Sequence, residues 1–226
     1  MEESKVLELL NRYIVSKDES DLSALQLSLE KANQEDEGSR SNIIRECELD
    51  FGKELWDHLD ETNTKELIIS SCADIVNEKR NHTNASSSFF NMALSMESEL
   101  KTKIFNDFNS SIKDKIDSFT DPYDKEYVNG LKSKTGFVPV AQMLYKLKYL
   151  KNTGGIPEEL RNYLSADWDI SSLSNKKAIE RAFELAAIRN NNGHGVTNFA
   201  YDDWPKVKQL AIKVLDWFIF SCLSFR

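Results

Sequence analysis

The chain predicts an all-α fold, on three observations. Apolar residues recur at helical spacing, no stretch of useful length alternates as a half-buried strand would, and eight glycines and four prolines are few for 226 residues. With 40% hydrophobic and 10% aromatic residues, the chain has enough apolar material for a packed core and does not read as disordered.

The N-terminal part reads as four short amphipathic helices, around residues 4–15, 22–31, 41–59 and 65–80. Gln34-Glu35-Asp36-Glu37-Gly38-Ser39 is polar and contains a glycine, so it is expected to separate the second helix from the third, with Ser41 as N-cap. In the third helix Ile44, Cys47, Leu49, Phe51, Leu55 and Trp56 supply the apolar face. The polar run 81–88 is the expected boundary between an N-terminal helical region, 1–85, and a second helical domain, 86–226.

That domain opens with a long helix over 86–111, in which Phe89, Phe90, Ala93, Met96, Leu100, Ile104 and Phe108 hold helical spacing. Residues 113–136 read as a connection with room for a short helix, because Asp121-Pro122 and Thr135-Gly136 are turn signals. Val140, Met143, Leu144, Leu147 and Leu150 line one face of a helix over 138–151, which Thr153-Gly154-Gly155 ends. Pro157 then sits in the first turn of a short helix to residue 164, and another helix covers 175–189. Asp203 is the expected N-cap of a closing helix whose Val207, Leu210, Ala211, Val214, Leu215 and Phe218 face the core.

Net charge is −8, so the overall field repels nucleic acid and any such contact needs a local basic patch. The three cysteines and three histidines lack metal-ligand spacing, and Gly154-Gly155 and Gly193-x-Gly195 are too short for phosphate-binding loops; neither metal nor cofactor is expected. No charged start leads into an apolar secretory run. The apolar stretch 217–225 is far below the roughly 20 residues of a membrane span. A cytoplasmic protein without a membrane partner is expected.

Chemistry concentrates in Ala187-Ile188-Arg189-Asn190-Asn191-Asn192-Gly193-His194-Gly195. Asn191-Asn192-Gly193 is a helix stop signal, placing Arg189 in the last turn and His194 just beyond. Continued helix would set Arg189 and His194 roughly 140° apart, whereas a break at Gly193 lets the imidazole turn back. Histidine titrates near neutrality and serves as base or acid; arginine stays charged and offers a planar donor fork that matches phosphate oxygens. Arg181 and Glu184, on the same helix, either orient Arg189 or pair with each other. Lys146, Lys148, Lys176 and Lys177 thicken positive charge beside the motif, as an RNA track or as a solvated face, since lysines two apart on a helix diverge.

The Arg189, Asn190 and His194 spacing resembles the R-N-x-x-x-H signature of HEPN domains. Gly193 and Gly195 make it more similar to the branch found at the C-termini of abortive-infection proteins, as does Met96-Glu97-Ser98-Glu99-Leu100-Lys101-Thr102-Lys103-Ile104, with acids and lysines in an aliphatic frame. The likeness covers residues 86–226. It implies an up-and-down helical bundle, here preceded by an additional N-terminal helical region. It also implies a metal-independent endoribonuclease of toxin or anti-phage type, with Arg189, Asn190 and His194 catalytic and RNA cut by 2′-hydroxyl attack. A homodimer whose two Arg-His pairs line one cleft would follow, as would a defence-system partner or antitoxin. One position departs: toxins paired with nucleotidyltransferase antitoxins carry a modifiable tyrosine two residues after the histidine, and this chain has Val196 there. The alternative is a non-catalytic helical interaction module in a defence or regulatory system, which predicts a buried or capped Arg-His pair and an exposed aromatic patch.

Overall fold

A computed structural model describes residues 2–17, 19–81, 85–193 and 200–223. The chain divides into two compact units, residues 1–47 and 48–226. Among the described residues the structure is all-α, and the only β-type pairing is an isolated bridge between Trp168 and Cys222.

The first unit holds α1 (Glu2–Ser16) and most of α2 (Glu19–Phe51), with Arg12 Nη2 2.5 Å from Asp21 Oδ1. The break expected at 34–39 does not occur, because α2 runs through it. Gln and Glu are good helix formers, and one glycine in a helix interior costs only about 1 kcal/mol. The helix ends instead at Gly52, whose φ of 79° leaves the helical region. Leu49, expected on the apolar face, is exposed.

In the second unit α3 (Lys53–His58), α4 (Thr64–Asn81) and α5 (Ser86–Leu100) lead into a π-helical turn, Lys101–Phe105, and α6 (Asn106–Ile112). The long helix predicted over 86–111 is therefore present, with one wide turn inside it. There the Asn106 N–H reaches back to the Lys101 carbonyl. Helix α5 is central: it packs against α4, α11 and α12. That explains why its buried residues include Phe89, Met92, Met96, Glu97, Glu99 and Leu100, more than one helical stripe can supply.

Helices α4 and α5 run antiparallel. Asn91 Nδ2 donates to Asp74 Oδ2 at 3.0 Å, the Ser87 N–H to Glu78 Oε1 at 3.0 Å, and the Asp60 N–H to Glu99 Oε2 at 3.1 Å. The boundary expected at residue 85 thus falls inside the second unit, between two helices packed on each other.

Residues 113–136 contain more helix than expected: two 3₁₀ turns, Lys113–Ser118 and Pro122–Asp124, and α7 (Lys125–Lys132). Then follow α8 (Val140–Lys148), α9 (Gly155–Leu164), the short α10 (Ile170–Leu173), α11 (Lys176–Gly193) and α12 (Trp204–Ile219). Asp169 caps α10 by accepting from the Ser171 and Ser172 N–H groups. Val207, Ala211, Val214, Leu215 and Phe218 of α12 are buried within the chain's own core. Asp203 precedes α12 as expected but makes no side-chain cap bond; its carboxylate meets Lys206 at 2.8 Å.

Candidate functional site

Arg189 lies one turn before the end of α11, on the stretch that packs against α5. Facing it is Glu97 of α5, an acid set between the core residues Ala93, Met96 and Leu100 and itself only 2% exposed. Burying an ionised carboxylate is costly unless it is paired, and Glu97 is paired twice. Its Oε1 accepts from Lys101 Nζ at 2.6 Å, one helical turn further along. Its Oε2 lies 3.3 Å from Arg189 Nε. That second contact lacks hydrogen-bond geometry, so it is an electrostatic tether rather than a donor-acceptor lock. The guanidinium also donates from Nη1 to Asn190 Oδ1 at 3.0 Å.

The result is two cations gathered by one buried acid. Lys101 and Arg189 keep 30% and 29% of their side-chain surface exposed. Around Glu97 itself, one carboxylate faces two cations, both of which reach the surface. Lys101 Nζ also sits 4.6 Å from the centre of the Phe137 ring. Lys101 also lines a groove of about 450 Å³ along α4 and α5, with Asn63, Glu66, Asn91, Glu97 and Ser98. The wide turn of the backbone begins at Lys101 itself, and such turns recur at functional sites.

Of the predicted motif, the structure places Arg189 and Asn190 side by side. His194 lies outside the described residues, as does Val196. Helix α11 runs on through Asn191 and Asn192 to Gly193, so the predicted stop falls at its last residue. Arg181 and Glu184 are exposed on α11. Among the described residues neither pairs with the other or with Arg189, whose acid comes from α5 instead.

The four candidate lysines separate. Lys176 is exposed, 3.8 Å from Glu180, and Lys177 is exposed. Lys148 is exposed, its ammonium 6.0 Å from the Tyr145 ring centre and 5.5 Å from that of Tyr149. Lys146, expected beside the motif at the surface, is instead buried. It is 3% exposed, forms an ion pair with Asp124 and donates to the Tyr123 carbonyl at 2.9 Å, so its charge is spent inside the fold. Asp124 completes the arrangement by accepting from the Ile156 N–H at 2.9 Å.

Sequence reasoning missed Glu97 as the partner of Arg189. The signal was present: an acid amid buried apolar positions, four residues before a lysine, must find compensating charge, and the i,i+4 lysine satisfies only one of its oxygens. Comparison of the chain with protein-family models, with curated proteins and with solved structures returns no match.

Proposed function

We propose that this chain is a metal-independent endoribonuclease of the HEPN type, acting as a homodimer. The observation that carries the reading is Arg189, tethered to buried Glu97 beside Lys101 while its side chain stays nearly one-third exposed. In this mechanism His194 removes the proton from a ribose 2′-hydroxyl and the 2′-oxygen attacks phosphorus. The bond from phosphorus to the 5′-oxygen breaks, and that oxygen takes up a proton. The products are a 2′,3′-cyclic phosphate and a 5′-hydroxyl. Arg189 compensates the charge that builds on the phosphoryl oxygens, a role suited to a guanidinium that never loses its proton. Asn190 holds the fork in orientation. The apolar face of α12 is consumed within the chain's own core, so a two-fold contact needs another surface.

The test is to incubate the purified protein with labelled single-stranded RNA in EDTA, beside a copy carrying 2′-O-methyl groups. Cutting in EDTA, sparing of the methylated strand and loss of cutting in His194→Ala are expected. Equal cutting of both strands would refute 2′-hydroxyl attack.

A second reading, a non-catalytic interaction module, is favoured by one observation: Tyr123, Tyr145, Tyr149 and Tyr163 are all large and exposed. It predicts no cleavage of any RNA by the wild-type chain.

A further inference from the structure

Residues 127–157 contain five lysines and not one aspartate or glutamate, in a chain whose net charge is −8. Lys146 is neutralised inside the fold by Asp124, and Lys132 meets Asp117 at the surface. Lys134, Lys148 and Lys151 remain exposed. The same segment carries three partly exposed rings, Phe137, Tyr145 and Tyr149, each between 41% and 42% exposed. Positive charge and exposed rings are therefore interleaved.

The rings are built into the fold. Tyr145 packs against Phe183 of α11 with ring centres 4.9 Å apart. Arg189 lies six residues further along α11, about 9 Å by helical rise and about 120° around the helix, where it faces α5 instead. Tyr145 and Tyr149 are four residues apart across the end of α8, which puts them on one face with an axial offset of about 6 Å. Both rings, with Tyr123, Gln142 and Asn152, wall a pocket of about 630 Å³ whose base is the buried Lys146–Asp124 pair.

Acids also line that pocket. Asp121 accepts from the Tyr123 N–H, Glu126 from Gln142, and Asp124 is held by Lys146. They disfavour a phosphate inside the pocket but not an uncharged base. The chemistry thus favours an uncharged ring against the tyrosines and an anionic group outside the pocket, on the exposed lysines.

We propose that Tyr145, Tyr149 and the pocket beside them form a stacking platform for the unpaired bases of single-stranded RNA, with the exposed lysines of 134–151 holding its phosphates. Interleaved cations and aromatic faces are what sequence-tolerant binding of single strands uses. The identity of the strand as RNA rests on the ribonuclease reading; the platform does not.

The test is fluorescence anisotropy with a labelled, unstructured 2′-O-methyl RNA, which binds without being cut, beside the same strand in a duplex. The wild-type chain should prefer the single strand by at least about tenfold, because a duplex hides its base faces. Tyr149→Ala should weaken binding by about five- to 150-fold, the range for losing one stacked base, while Tyr149→Phe keeps it. Lys148→Glu with Lys151→Glu should weaken binding and flatten its salt dependence. Thermal melts confirm that each variant is folded; these surface lysines offer a second route should Tyr149→Ala fail to fold. Equal affinity for duplex and single strand, no binding at all, or unchanged affinity in folded variants of both kinds overturns the platform. If the wild-type chain binds in this tyrosine-dependent way yet cuts no RNA, the platform stands and the ribonuclease reading falls. If RNA is cut but the tyrosine has no effect, the reverse holds.

Discussion

Replacing Glu97 by glutamine keeps the side chain's shape and removes the one charge that Lys101 and Arg189 share. Removing one partner of a buried ion pair costs about 3–5 kcal/mol when the orphaned charge stays buried. Here the orphaned charges do not stay buried. Lys101 and Arg189 are 30% and 29% exposed, so water compensates much of the loss. The expected cost is nearer ~1–2 kcal/mol, or roughly 2–8 °C in Tm for a unit of this size. The pair between Asp124 and Lys146 provides the control, because its side chains are only 1% and 4% exposed. Lys146→Ala leaves an uncompensated carboxylate in the core and should carry the full penalty of about 3–5 kcal/mol, roughly 6–20 °C. Thermal melts of both variants at pH 7 measure the contrast, and RNA cleavage is assayed on the folded Glu97→Gln protein. There the rate should fall by about tenfold or more, since the guanidinium loses the tether that aims it. A melting loss as large as that of Lys146→Ala, or a small loss with wild-type cleavage, would refute the assignment of Glu97 as the residue that positions Arg189.

Arg189→Ala should leave folding intact and lower cleavage by at least about 10²-fold, with Asn190→Ala costing less because its amide only accepts from the guanidinium; equal effects in single-turnover assays would count against those roles. The Glu99 carboxyl is pushed above the usual carboxylate range by burial, which outweighs its hydrogen bonds and Lys103. Its contribution is therefore most favourable below about pH 4.3 and is lost as pH rises through the raised folded value, so Glu99→Gln should raise Tm at pH 7 by a margin that shrinks toward pH 4. A glutamine variant that melts lower than wild type at pH 7 would contradict this. Gly155→Ala should cost about 2 kcal/mol or more by denaturant titration, because Gly155 has φ of 69° and a Cβ there would collide with the Asp124 carboxylate.

Helix periodicity made most of the second unit legible. The faces predicted for α8 and α12 are largely the buried ones, because each packs one stripe and leaves the rest to solvent. What periodicity misjudged was punctuation. Gly38 did not break α2, whereas Gly52 did, because a glycine ends a helix only where the chain takes the positive φ that glycine allows. The interior turn at Lys101–Phe105 has no compositional mark at all, since a π turn changes hydrogen-bond register and not residue type.

The site was half legible for a related reason. Arg189 and Asn190 are neighbours in sequence and were visible as a pair, but the acid that holds Arg189 stands 92 positions away and becomes its partner only because α11 packs on α5. The lysines make the same point more sharply. Lys146 and Lys148 differ by two positions and look equivalent in composition, yet one is sealed against Asp124 and the other lies over two exposed tyrosines. Two residues on a helix are about 200° apart, so an acid contributed by the 3₁₀ turn at Pro122–Asp124 can neutralise one and leave the other to solvent. In an acidic chain the functional positive charge is what remains after such pairings are subtracted. On and just after α8 that leaves Lys148 and Lys151 exposed, the charge along which the proposed strand would run.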